Sequence, residues 1–287
     1  MGTSRLRFDQ IGQWSQIKLD IVREYAKAYS TILAKQPYLR HVYIDAFAGA
    51  GVHQLKSTGD LVPGSPLNAL HVEPPFHELH LIDLDGAKIE HLREIVGERR
   101  NVFFYQEDCN RTLLEKVFPR VRYEDYRRGL CLLDPYGLNL NWDVLAKAGE
   151  MKTIEIFLNF PIMDMNRNAL WSNATGVAQE DVERMTAFWG DTSWRDAVYV
   201  QQYSLFGGQD LLKSRGNEEI VRAFRKRLQE VAGFTEVPEP IPMRNSRNAI
   251  VYYLFFASHN RTGGKIAGAI LRKYALLPGG TLPPDAR

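Results

Sequence analysis

The residues best suited to chemistry stand at the ends of short apolar runs. The run from His41 to Phe47 passes into Asp45-Ala46-Phe47-Ala48-Gly49-Ala50-Gly51, where two glycines let the backbone turn sharply and approach a bound molecule. A plain structural turn would use the same pair. Leu79 to Asp83 ends in Asp83-Leu84-Asp85, a carboxylate placed to grip a ribose-like diol through two hydrogen bonds; a turn or cap is the plainer reading. Val102 to Gln106 is followed by Glu107-Asp108-Cys109-Asn110, where Asp108 can accept from an exocyclic amine, cap a helix, or do both.

The fourth run closes on Leu133-Asp134-Pro135-Tyr136-Gly137. Proline fixes its own φ, so Asp134 and Tyr136 are held in place before any substrate arrives. Such a cluster suits a planar amine, with the ring stacked on it and the carboxylate accepting an N–H bond. A tight turn packed by tyrosine is the alternative. The fifth run ends in Asn159-Phe160-Pro161, a second amide-and-aromatic edge.

These tips are useful only if one scaffold presents them together. Apolar residues Ile17, Ile21, Tyr25, Ala28 and Ile32 recur at helical spacing and predict an opening amphipathic helix over 15–35. Strands expected at 41–47, 79–83, 102–106, 129–133 and 153–160 alternate with helices expected at 87–97, 111–118 and 142–151. Thr58 to Pro66 reads as a loop, with a helix starting near Ser65 and Ser65 as its cap. Alternating strands and helices imply parallel βαβ units in a doubly wound sheet, whose ligands bind beyond the carboxyl ends of the strands. Residues 163–212, with Trp171, Trp189 and Trp194, break the alternation and read as a helical insertion over that edge. A basic helix is expected at 218–231, and two closing strands near 234–237 and 249–258.

Composition agrees with an ordinary globular chain. Of 287 residues, 45% are hydrophobic and 24% charged, enough to bury a core. No apolar run approaches the roughly 20 residues that span a bilayer, and a cytoplasmic protein is expected. The formal charge of +2 does not by itself point to nucleic acid, although Arg120, Arg122, Arg127 and Arg128, and Arg222, Arg225, Lys226 and Arg227, form local clusters. Cys109 and Cys131 lie in or beside apolar segments, so reduced core thiols are expected, with no metal site.

Taken in order, the motifs resemble class I methyltransferases. The whole series is similar to the three-Cys-motif partner protein family: Lys18 with Tyr25, Tyr43-Ile44-Asp45-Ala46-Phe47-Ala48-Gly49-Ala50-Gly51, Gly64-Ser65-Pro66-Leu67, and Leu133-Asp134-Pro135-Tyr136-Gly137, over roughly residues 14 to 275. The resemblance implies a mostly parallel seven-stranded sheet of the Rossmann-like methyltransferase kind, and length and composition add the expectation of one domain over 1–278 with a short tail from 279. It implies S-adenosylmethionine as cofactor, bound by Asp45, Phe47, Gly49, Gly51, Asp83 and Asp108. It further implies catalysis by Asp134, Pro135 and Tyr136, which resemble the Asp-Pro-Pro-Tyr cluster of amino-methylating nucleic-acid enzymes. A nucleic-acid substrate and a partner bearing three cysteines follow as expectations.

Rival chemistries lack their marks. The third glycine of a dinucleotide fingerprint is absent, Gln54 standing where it would fall, and Asp83 lies about 32 residues beyond Gly51 against roughly 20 in that motif. Gly263-Gly264-Lys265 runs into Ile266 rather than a serine or threonine, and no His-Glu-x-x-His helix exists. His53 is expected on a surface loop. A non-catalytic companion of a three-cysteine protein remains as the second reading.

Overall fold

The computed structural model describes residues 8–171, 176–203, 209–213 and 216–276; the tail expected from 279 lies outside them. A central sheet runs in the order β11-β12-β8-β7-β2-β5-β6. Its parallel members are β2 (Arg40–Asp45), β5 (Glu78–Asp83), β6 (Val102–Gln106), β7 (Arg127–Leu133) and β8 (Ile154–Phe160). The edge strand β11 (Ile241–Arg244) and its neighbour β12 (Ile250–Ala257) close the sheet, β12 running antiparallel to β8 and to β11. This is a doubly wound, mostly parallel seven-stranded sheet of the Rossmann-like methyltransferase fold. Winding reverses between β2 and β7, the place where such a sheet opens a crevice.

Helices cover both faces. On one lie α1 (Gln13–Leu33), α2 (Ser65–Leu70), α3 (Gly86–Val96) and α10 (Arg261–Ala275), packed around Ile21, Tyr25, Leu92, Phe256 and Leu271. On the other lie α4 (Cys109–Thr112), continued by a π-helical turn over Leu113–Val117, then α5 (Trp142–Met151), α6 (Ile162–Asn168), α7 (Gln179–Trp189), α8 (Trp194–Val198) and α9 (Asn217–Glu230). The stripe of α1 follows the predicted spacing at Ile17, Ile21 and Tyr25, but its last turns bury Tyr29 and Leu33 instead of Ala28 and Ile32, which stay partly exposed. Both cysteines are free and buried. Among the described residues no helix is long and apolar enough to cross a membrane.

Four expectations need correction. The stretch read as a loop contains the hairpin β3 (Val52–Leu55) and β4 (Leu61–Pro63), and β3 pairs with the short β1 (Gln10–Ile11) to make a small second sheet. The closing pair uses 241–244, not 234–237, where only a single bridge joins Glu236 to Ser258; Pro242 is tolerated because β11 is an edge strand. The insertion is not purely helical, since β9 (Tyr199–Tyr203) and β10 (Gln209–Lys213) form an antiparallel pair. Its first helix, α6, reaches the sheet's carboxyl edge, and Arg184 of α7 extends to Asp164 there, whereas Trp189 and Trp194 are buried in the core beside Phe224 and Tyr199. Helix α10 went unread because of Gly263, Gly264 and Gly268. Close packing explains them: a Cβ on Gly264 would come within 2.7 Å of Glu236 Cβ.

Candidate active site

The carboxyl ends of β2, β7 and β8 open on a cavity of about 460 Å³. Phe47 and Gly49 line it from the turn after β2, Asp134, Pro135 and Tyr136 from the turn after β7, and Asn159 from the end of β8. The turn after β2 is held by its glycines: Gly49 and Gly51 have φ of +62° and +82°. A Cβ on Gly51 would also lie 2.5 Å from Leu92 Cδ1, whereas one on Gly49 would enter open space. The backbone at Gly49 is therefore free to lie against a ligand.

Asp83 is the clamp that sets this turn. It is nearly buried, and its two carboxylate oxygens accept from Gly49 N at 2.8 Å and Asp85 N at 2.9 Å. A carboxylate offers about four lone-pair sites, so capacity remains for a diol. Leu84, the next residue, is 74% exposed and presents apolar surface beside that carboxylate, a feature sequence reading passed over. Asp108 caps α4 by accepting from Arg111 N at 3.0 Å. Neither Gly51 nor Asp83 nor Asp108 lines the 460 Å³ cavity.

Asp45 lies beneath the cavity rather than in it. It is wholly buried, accepts from Phe47 N and the Tyr43 hydroxyl, each at 3.3 Å, and takes a further hydrogen bond from Ser65. Ser65 thus ties α2 to β2 instead of capping the helix, whose N-cap is Gly64. Burial pushes the Asp45 carboxyl up to about 6, with the charge of Asp134 adding to the effect and the three hydrogen bonds opposing it.

The feature that sequence reading did not assign to the site's chemistry is Lys18. This nearly buried side chain of α1 forms an ion pair with Asp134 and lies 5.6 Å from the centre of the Tyr252 ring. Burial by itself would lower the Lys18 pKa, but the adjacent Asp134 outweighs it and raises the value. Tyr136 is engaged as well. Its hydroxyl donates to Asp9 at 3.0 Å and accepts from Lys88 at 3.2 Å, while Lys88 pairs with Asp9 at 2.8 Å. Burial works against the charge on Asp9, yet Lys88 holds its carboxyl below the usual value. These three residues span the N-terminal segment, α3 and the turn after β7, and Tyr136 itself is 57% exposed.

His53 lies in β3, partly buried and lining the cavity, not on a surface loop. Its Nδ1 and the Oδ1 of Asn159 are buried without a hydrogen-bond partner among the described residues. With Asp164 Oδ2 and the Tyr252 hydroxyl, four such orphans lie on one cavity and mark where a bound molecule would complete the bonding. The arginine clusters are elsewhere and largely satisfied. Arg127 opens β7 at its amino end and grips Glu78 through two bonds of 2.8 and 2.9 Å. Arg122 pairs with Asp125, Arg225 with Glu239 and Arg227 with Asp191.

No family model matches this sequence, and no curated protein matches it. Solved structures do. One is a protein from Legionella pneumophila, at 12% identity over 89% of this chain and 92% of that one, TM-score 0.49. Another is a SAM-dependent methyltransferase from Leishmania major, at 9% identity over 85% and 82%, TM-score 0.37. A third is an S-adenosylmethionine-dependent methyltransferase from Mesorhizobium loti, at 11% identity over 82% and 99%, TM-score 0.33. These likenesses are too distant to carry an argument about activity, and the assignment of the fold stands on the strand order.

Proposed function

We propose that this chain is an S-adenosylmethionine-dependent methyltransferase that acts on a nitrogen of a nucleic-acid base or a similar planar amine. The observation that supports it most is the meeting of Asp134, Pro135, Tyr136 and the orphaned Asn159 Oδ1 on the one cavity that also receives the Gly49 turn. The residues present fit the cofactor: an open backbone at Gly49, a carboxylate with spare acceptor capacity at Asp83, and an exposed apolar side chain at Leu84. When bound, S-adenosylmethionine supplies a methyl group on a positively charged sulfur. Asp45 acts on this reading from below, as the buried anchor of the turn.

An exocyclic amine is a weak nucleophile because its lone pair is conjugated. Hydrogen bonds from its N–H groups to the Asp134 carboxylate and the Asn159 amide oxygen localise that pair and orient the nitrogen. Lys18 fixes the Asp134 carboxylate from behind. Tyr136 and Phe47 supply the aromatic surface against which a flat acceptor lies. A base within a duplex reaches the cavity only after it is flipped out.

The ties on Tyr136 and Asp134 favour one second reading. A chain whose site groups are held by its own Lys18, Lys88 and Asp9 is also what a non-catalytic companion of a three-cysteine protein would show. Calorimetric titration with S-adenosylmethionine, using NAD and Asp83→Ala as controls, separates the two. Micromolar binding that the variant loses, followed by methyl transfer to tRNA, rRNA or DNA, supports the enzyme; absence of binding refutes it for the chain alone.

A further inference from the structure

A second cavity, of about 500 Å³, lies at the other end of β7 and β8, between α1 and α10. Drug-sized ligands occupy cavities of about 300–1,000 Å³. Its apolar wall is formed by Tyr29, Ile32, Leu39, Ile154 and Ile266. Three cations border it, Arg128 at the start of β7, Lys152 in the turn before β8, and Arg261 at the start of α10. None of the three is in an ion pair among the described residues. Arg128 lies over the Tyr123 ring at 4.5 Å and donates to the Arg127 carbonyl at 2.7 Å, which leaves its charge uncompensated.

The interior is polar in a particular way. Tyr29 is more than nine-tenths buried, lines the cavity, and its hydroxyl has no hydrogen-bond partner among the described residues. A buried unpaired hydroxyl is unfavourable, and an acceptor on a bound molecule removes that cost. Glu155, the acid of this cavity, is already engaged: one oxygen accepts from Tyr25 and the other from Ser258 at 3.0 Å. Burial raises its carboxyl to about 7, so its negative charge is partial at neutral pH and absent in acid. The uncompensated sign at the cavity is therefore positive.

We infer that this cavity is a binding site for a small organic anion, whose phosphate or carboxylate lies among Arg128, Lys152 and Arg261 and whose apolar body lies against Tyr29, Ile32 and Ile266. The Tyr29 hydroxyl donates to it. The site is separate from the proposed methyl-transfer cavity, and the inference does not depend on that reaction.

The test is titration calorimetry on the full chain with phenyl phosphate, phenylacetate, inorganic phosphate and benzyl alcohol. At least one of the two organic anions is expected to bind about tenfold tighter than inorganic phosphate or the neutral alcohol. That binding should weaken about tenfold in the double variant Arg128→Gln, Lys152→Gln and severalfold in Tyr29→Phe, with melting temperature and S-adenosylmethionine titration as separate controls. The tighter of the two names the anionic group. Binding of neither organic anion overturns the site, as does binding of inorganic phosphate equally well and regardless of Tyr29→Phe, which would mean surface charge alone.

Discussion

The two ends of the sheet are built on opposite electrostatic plans. At the carboxyl end the charges nearest the turns answer one another: Lys18 is paired with Asp134, Lys88 with Asp9, and both oxygens of Asp83 receive backbone N–H groups, which leaves Arg167 as a lining cation in no ion pair among the described residues. At the amino end Arg128, Lys152 and Arg261 border a cavity without an ion-pair partner among the described residues, and Glu155 is buried with two hydroxyls donating to it. A network satisfied from within holds its groups at fixed positions, which chemistry at a reacting atom requires. An unsatisfied one is completed from outside, as binding requires. Strand β8 and strand β7 with its following turn contribute to both cavities, Arg128 and Glu155 at one end and Asp134 and Asn159 at the other.

The sharpest break in this comparison comes at Asp134. Asp134→Ala should reduce methyl transfer about a thousandfold, roughly 4 kcal/mol of barrier, while S-adenosylmethionine affinity stays within severalfold, as single-turnover kinetics and calorimetry would read separately. Equal loss of both would mean that Asp134 serves the cofactor instead. Next in size is Lys18→Met, which leaves the Asp134 and Asp45 carboxylates without their buried cation and should destabilise folding by about 3 kcal/mol in urea melts.

Close to it in size is a test at the amino end by pH. The folded carboxyl of Glu155 titrates at about 7, above its ordinary value of 4.5, so the native state holds a proton that the unfolded chain has lost. Its contribution therefore makes stability fall as pH rises from about 4.5 through 7, by about 3 kcal/mol in all. Asp45, raised by burial to about 6, slopes the same way, whereas His41 and His80, lowered by burial to about 4, slope oppositely between about 4 and 6.5. The difference between wild type and Glu155→Gln isolates one term: the variant should gain relative stability between pH 5 and 8. A flat difference curve would show that Glu155 is charged throughout. The smallest effect belongs to Tyr136→Phe, which removes two exposed hydrogen bonds and should cost under about 1 kcal/mol of stability.

The parallel core was legible because its signals are local. Each of β2, β5, β6, β7 and β8 is a short apolar run with a polar or glycine tip, and the tips after β2, β7 and β8 do converge on one cavity. What escaped reading depends on partners distant in sequence. Pro242 argues against a strand until β11 is seen to be an edge, and the glycines of α10 argue against a helix until Glu236 is seen to press on it. Helix α7 buries Trp189 against Phe224 of α9, which no window on 163–212 contains. In the site, Asp83 read as a ligand group proves first to be a clamp on Gly49, and Tyr136 read as a free stacking ring is bonded to Asp9, 127 residues away. Asp45, read as a cofactor contact, is sealed beneath the cavity.

The tie between Tyr136, Asp9 and Lys88 has a consequence for traffic through the site. The two exposed hydrogen bonds that hold the Tyr136 hydroxyl are worth about 1 kcal/mol together, which corresponds to an untied state populated at about 15% at room temperature. Such a tie sets no lasting block. It reopens on the timescale of side-chain and loop motion, and divides the apparent affinity of any molecule that needs the ring free by about seven, the reciprocal of the untied fraction.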